Sequence, residues 1–283
     1  MINLLFAIDD RMTAQLLTTL YSIVVNTPQK QFTVYVIQKE VLSATPQIEA
    51  FCAQMGLRYR PLVVGATFVA TAPVTERYPE TIYYRLLAQR YLPESVTRIL
   101  YLDVDILVLN DLTPLYECDL GTDLYAAASH NALSRNSFNQ LRLGNYEAES
   151  YFNSGVLLYN LPAVRAQVKV AAIADYIQTK KMALFLPDQD ILNGLYGHQI
   201  QKIPDELYNF DARRSRFYYA LSSGQWDLDW VITNTVILHF CGRDKPWKKD
   251  YHNRYAGLYK HYALRAQRVL KRSDHDDQSS PIK

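Results

Sequence analysis

Two aspartates, Asp103 and Asp105, interrupt the apolar run "ILYLDVDILVLNDL" at residues 99–112. A carboxylate among Ile, Leu and Val is costly unless it is paired or binds a metal. In an extended segment, residues i and i+2 point to one side. Two carboxylates on one side repel unless a cation lies between them. Oxygen ligands of this kind suit Mg²⁺ or Mn²⁺. The D-x-D pattern alone is a weak signal, because it recurs at Asp188/Asp190, Asp227/Asp229 and Asp274/Asp276. The first instance differs in context. A long strand-like run precedes it, and open α/β sheets bind ligands at the carboxyl ends of their strands. Two readings stay open here: a metal site, and a strand end whose carboxylates are simply solvated.

The elements that must position this pair follow from periodicity. "INLLFAI" reads as a buried strand ending at Asp9, and "TAQLLTTLYSIVVNT" has helical spacing. "QFTVYVIQ" is a second strand, and "SATPQIEAFCAQMG" a helix with Ser or Thr at its front and Gly56 at its end. "LRYRPLVV" is a third strand. This alternation implies βαβ units and a parallel sheet. A helix over "PETIYYRLLAQRYLP" and one strand over "RILYLDVDILVL" come next, then strands at "DLYAAAS" and "YFNSGVLLYNL". "LPAVRAQVKVAAIADYIQTKK" reads as one long helix. No repeat or low-complexity linker divides the chain, so one α/β domain fits better than two.

Composition narrows the classes. The chain has 283 residues, 49% hydrophobic and 20% charged, an ordinary globular balance. The start "MINLLFAIDD" lacks the basic region of a signal peptide. No apolar stretch approaches a membrane span. Three widely spaced cysteines, Cys52, Cys118 and Cys241, form neither a disulfide framework nor a zinc pattern and are expected to be reduced thiols of a cytoplasmic protein.

"YFNSGVLLYNL", "PDQDILNGLY" and "LHFCGRDKPW" follow "YLDVDILVLNDL" in this order. Together they closely resemble glycosyltransferase family 8, from "FAIDD" to "KPW". The resemblance implies an α/β GT-A fold, with a Rossmann-like, mostly parallel sheet flanked by helices. It implies a retaining transfer of galactose or glucose from UDP-galactose or UDP-glucose to a saccharide or glycoconjugate acceptor. It also implies Mn²⁺ or Mg²⁺, held by Asp103, Asp105 and His239, to bridge the diphosphate. Ala7, Asp9, Arg85, Asp103, Val104, Gly242 and Lys245 are then nucleotide-binding, with Asp9 on the uracil edge. Asn153, Asp188, Gln189 and His130 line the donor sugar, and Gln189 and Asp188 are the catalytic pair. Related galactosyltransferases carry an Asp where His130 stands, so that position bears on sugar choice. D-x-D after a core strand also occurs in haloacid-dehalogenase-type phosphatases, with Asp103 as the nucleophile. Leu107 replaces their usual Thr or Val. A non-catalytic carbohydrate-binding protein is the third reading, for which 22 tyrosines would suit sugar stacking. No nucleic-acid partner is expected.

Charge is uneven. Residues 243–272 carry ten Lys or Arg and two Asp, whereas residues 1–242 are net acidic. Residues 251–272 have Tyr251, Tyr255, Leu258, Tyr262, Ala266 and Val269 in a helical stripe beside a basic one. The expected division is a catalytic domain over 1–247, a basic amphipathic helix over 248–272 and a polar tail over 273–283. A basic helix with interfacial aromatics suits the anionic inner face of a membrane. The alternative packs the tyrosines on the body and leaves the arginines in water.

Overall fold

Seven strands form the main sheet: β1 (Ile2–Ala7), β2 (Phe32–Gln38), β3 (Arg58–Val63), β4 (Arg98–Leu102), β6 (Tyr125–Ala128), β7 (Val156–Asn160) and β8 (Ile200–Ile203). Their order is β3-β2-β1-β4-β7-β6-β8, and β7 alone runs against the others. A second sheet has the order β5-β10-β9, from β5 (Ile106–Val108), β9 (Phe210–Asp211) and β10 (Ile237–His239). The structure, a computed structural model, describes residues 1–29, 31–65, 81–129, 139, 142–145 and 150–277.

Every residue of β2 is buried, as expected for a strand covered on both faces. Alternate residues feed two cores. Leu4, Phe6, Val34, Val36, Leu100 and Leu102 enter the core under helices α1 (Thr13–Asn26) and α2 (Thr45–Gln54). Leu5, Tyr35, Ile37, Ile99 and Tyr101 enter the opposite one. That second core also takes residues from α3 (Leu161–Gln167), α4 (Val170–Lys180) and α5 (Pro187–Tyr196). A third core, with Leu107, Phe210, Leu238 and Phe240, lies at the second sheet.

The expected single strand over "RILYLDVDILVL" is two. The chain leaves the main sheet after Leu102, bends through Asp103–Val104–Asp105 and enters the second sheet at Ile106. Asp103 and Asp105 therefore do not alternate along one extended segment. They stand on a bend between sheets.

Three helices also depart from expectation. The long helix after β7 breaks at Val168, whose extended backbone ends α3 while its side chain stays buried. The helix before Pro93 is one helical turn, Thr81–Tyr84, followed by 3₁₀ structure over Arg85–Arg90. Tyr83 through Gln89 are all buried, so packing on every side, not one amphipathic face, sets this segment. α2 has no side-chain N-cap: Ala44 holds the cap position, and the Ser43 hydroxyl donates to Asp10 at 3.0 Å. Gly56 ends α2 with φ +70°.

The last helix, α6 (Ala256–Asp277), starts later than expected and runs past residue 272. It packs on α1 and α2. Its aromatic stripe faces inward. Tyr255 and Tyr259 are buried, Tyr259 stands edge-on to Phe240 at 5.5 Å, and the Tyr262 hydroxyl accepts from Asn26 at 2.7 Å. The expectation of interfacial tyrosines is thereby corrected: burying these rings completes the third core. Lys260, Arg265, Arg268 and Lys271 remain exposed. No helix among the described residues is long and apolar enough to cross a membrane.

Candidate functional site

Two cavities adjoin at the carboxyl end of β4. One, of about 750 Å³, is lined among others by Asn153, Asp188, Gln189, His239 and Gly242. The other, of about 490 Å³, is lined among others by Ala7, Asp9, Val104 and Trp247. Arg85, Asp103, Asp105 and Lys245 line both. Twelve of the thirteen residues singled out from sequence thus face one connected space. The thirteenth, His130, lies outside the described residues.

The aspartates take their nearest partners from different side chains. Asp103 takes the Arg85 guanidinium at 2.9 Å and the Tyr101 hydroxyl at 2.8 Å. The Arg85 guanidinium also lies over the Tyr101 ring at 4.4 Å and reaches Asp188 at 3.4 Å. Asp105 meets His239 Nε2 at 3.1 Å and the Lys245 ammonium. Burial works against ionisation of Asp105, yet His239 and Lys245 hold its carboxyl well below the usual range. At Asp188 burial prevails and pushes the carboxyl up, against Arg85 and the Ser154 hydroxyl, which donates at 2.8 Å.

His239 is placed by β10, antiparallel to β5 with His239 opposite Ile106. Its Nδ1 donates to Asn209 Oδ1 at 2.8 Å, with the amide oriented to accept. Nε2 is then the atom that faces Asp105 at 3.1 Å and Asp103 at 3.9 Å. It can carry a proton shared with Asp105 or a bond to a metal. One donor atom each from Asp103, Asp105 and His239 lies within 4.8 Å of the others. Ligands about 2.1 Å from an octahedral Mg²⁺ stand about 3 Å apart at right angles, so this hard, mixed oxygen–nitrogen set fits such an ion after small movements.

The sugar-side residues form one hydrogen-bonded chain. Gln189 Oε1 accepts from Asn153 Nδ2 at 3.0 Å and from the Ser154 N–H at 3.3 Å. Asn153 Oδ1 accepts from the Gly155 N–H at 3.0 Å and from Asn209 Nδ2 at 2.9 Å. Asn209, Tyr101, Ser154 and Gly155 were not singled out from sequence. Gly155 had a readable signal, a small residue between a polar "NS" and a core strand. A Cβ there would lie 2.5 Å from His239 and 2.6 Å from Asp103. Gly242 has φ +92°, and a Cβ would lie 2.5 Å from Arg213. Asp9 caps the turn before α1, accepting from the Arg11 N–H at 3.0 Å and pairing with its guanidinium at 2.7 Å.

Asp190 points out of this network. It is fully buried, and its carboxylate accepts from Arg142, the Tyr151 hydroxyl and the backbone N–H groups of Phe185 and Leu186.

Residues 3–251 match the family "Glycosyl transferase family 8". The chain is 27% identical over 256 residues to the lipopolysaccharide 1,2-glucosyltransferase of Escherichia coli, covering 87% of this chain and 73% of that one. It is 25% identical over 227 residues to general stress protein A of Bacillus subtilis strain 168, covering 76% of each. Among solved structures it resembles the galactosyltransferase LgtC in complex with donor and acceptor sugar analogs. That match has a TM-score of 0.80 and 26% identity, and covers 93% of this chain and 96% of that one.

Proposed function

The chain belongs to glycosyl transferase family 8 and is a glycosyltransferase, and on that premise we propose that it moves glucose or galactose from a UDP-sugar to a saccharide of a cell-envelope glycoconjugate, with retention. The observation that carries the reading is the convergence of Asp103, Asp105 and His239 at the junction of two cavities. A divalent ion bound there would offset the charge of the diphosphate and of the departing UDP. Lys245 adds a fixed positive charge, and Gly242 lets the backbone approach closely. Ala7, Asp9 and Val104 face the smaller cavity, which suits the nucleoside, with Asp9 accepting from the uracil N–H. Asn153, Asp188 and Gln189 face the larger one, which suits the hexose. Arg85 pairs with both Asp103 and Asp188 and lines both cavities, so it stands at the boundary between the two.

Retention requires a covalent intermediate or attack on the departing group's own face. Asp190 is an unsuitable nucleophile, because Arg142 and three other donors saturate it. Gln189 is a poor one, with its carbonyl held by Asn153 and Ser154. Asp188 is tied to Ser154 and Arg85. These contacts support the front-face attack that the family resemblance implies, with the leaving phosphate drawing the acceptor's proton.

The exposed bases of α6 favour peripheral attachment to an anionic inner membrane face at low salt. Sedimentation with phosphatidylglycerol vesicles at low and high salt tests this part; protein left in the supernatant at low salt ends it. The central test is UDP release from a panel of UDP-hexoses with Mn²⁺, with and without chelator. A folded protein that releases UDP from none of them, or equally well under chelation, contradicts the reading.

A further inference from the structure

The larger cavity carries more positive charge than the donor chemistry uses. Its carboxylates are each matched: Asp103 and Asp188 by Arg85, and Asp105 by Lys245 with His239 beside it. Two further bases, Arg243 and Lys248, line the same cavity and have no ion-pair partner among the described residues. Asp244 and Asp250, the acids of the same loop, line neither cavity. Arg243 and Lys248 are also absent from the smaller cavity, whereas Lys245 lines both. The diphosphate belongs at the junction, where Asp103, Asp105 and Lys245 face both spaces. The two spare bases therefore lie on the sugar side of it. Both are exposed, while Asp188 and Gln189 are buried. The spare charge thus stands toward solvent, where an acceptor enters, and not at the hexose floor.

Most surface Arg and Lys are simply solvated. These two sit on an anchored loop. The Lys248 ammonium donates to the Arg243 carbonyl at 3.2 Å, and the Lys248 N–H donates to the Lys245 carbonyl at 3.0 Å. Lys245 in turn donates to the Phe240 carbonyl at 3.0 Å, and Pro246 is buried. Arg213 flanks the loop. Its Nε and Nη2 grip Asp211 at 3.0 and 2.7 Å, and its Nη1 lies against the lining residue Gly242, 2.5 Å from where a Cβ would stand. A guanidinium fork beside an ammonium suits a phosphate, which offers three oxygens and nearly two negative charges at neutral pH. Two unmatched cations balance that charge, whereas a carboxylate would leave one of them over. We propose that Arg243 and Lys248, with Arg213 as an added donor, form a subsite for a phosphate monoester carried by the acceptor saccharide. This rests on the glycosyltransferase reading above and adds to it the chemical class of the acceptor: a phosphorylated sugar, with its phosphate near the hydroxyl that is glycosylated.

The experiment uses full-length protein saturated with UDP and Mg²⁺, so that the diphosphate site is already filled. Calorimetry at physiological ionic strength, where loose surface attraction is screened, then compares the 6-phosphates of glucose, galactose and mannose with the parent hexoses and their uronates. Wild type should bind at least one 6-phosphate about tenfold more tightly than its hexose or uronate, and the double variant Arg243→Gln, Lys248→Gln should lose that preference. The affinities for UDP, UDP-glucose and UDP-glucuronate are measured in both proteins. Wild type that binds UDP but prefers no phosphate overturns the proposal, as does a preference that survives in the double variant or is equalled by the uronate. A loss of UDP affinity as large as the loss for the sugar phosphate would put the two bases on the diphosphate and also overturn it. So would a wild-type preference for UDP-glucuronate over UDP-glucose that the double variant loses, since the charge would then be read on the donor. Wild type that binds no UDP would be a failure of the underlying transferase reading instead.

Discussion

Asp190 and Asp211, compared with Asp103 and Asp105, show two ways of burying a carboxylate. The first two are fully buried, and each is gripped by an arginine fork and by backbone N–H donation, from Phe185 and Leu186 to Asp190 and from Arg213 to Asp211. The second two are held by cationic side chains that line a cavity: Arg85 and Lys245 directly, and His239 beside them. Asp103 keeps 27% of its side-chain surface open, and Asp105 keeps 12%. A carboxylate saturated from within can only hold structure. One whose partners face a cavity can exchange them for a ligand or an ion. D-x-D spacing does not separate these classes, since Asp188/Asp190 spans both.

The largest effect that can break this contrast is catalytic. Asp105→Asn should lower UDP-sugar turnover by roughly 10³-fold, about 4 kcal/mol of transition-state stabilisation. Near-wild-type turnover, measured as UDP release, would place Asp105 among the structural carboxylates. Next comes stability. Asp190→Asn strips a buried arginine of its counter-charge and should cost about 3 kcal/mol, at the lower end for a broken buried pair. Urea denaturation measures it, and a midpoint equal to wild type would dissolve the distinction from the other side.

Asp9 sharpens the contrast at the cavity's far end. Replacement by Ala should weaken UDP binding about tenfold and CDP binding much less, because a carboxylate only accepts hydrogen bonds. Calorimetry with both nucleotides reads this, and equal losses would remove the base-reading role.

The smallest effect concerns Asp10, fully exposed and still tied to structure. The Ala44 N–H, 3.1 Å away, lowers its pKa below the ordinary 3.8, with help from Ser43. A depressed folded pKa means that the stabilisation is present above the unfolded value and is lost as pH falls through the folded one. Wild type should therefore exceed Asp10→Asn slightly in urea resistance near neutral pH, and the gap should close in acid once the carboxylate is protonated in both folded and unfolded chains. A gap that persists there would mean that charge is not involved.

Much of this was readable because it is periodic. β1, β2 and β3 and the helices between them follow from runs of two and 3.6 residues, and the site's order along the chain follows from four short motifs. The split between β4 and β5 was not readable. "RILYLDVDILVL" is apolar on both sides of Asp103, and nothing local says that Ile99 and Ile106 are buried in different sheets. The same holds for the tyrosines of α6: a helical stripe specifies that one face is apolar, not what covers it. Asn209 stayed hidden because its role exists only through contacts to Asn153 and His239, 56 and 30 residues away.

The passage from one sheet to the other within residues 103–105 has a mechanical consequence. Asp103 directly follows the last strand residue of the large sheet, while Asp105 directly precedes β5 of the small one and His239 lies in β10. Whatever occupies the space among them becomes a fastener across a seam that the backbone crosses only by a bend. Loading the site should therefore slow amide exchange at Leu107 and Leu238, paired across β5 and β10, more than at Leu4 and Val34, deep in the large sheet. Occupancy of this site would be legible as local rigidity of the small sheet, without any measure of turnover.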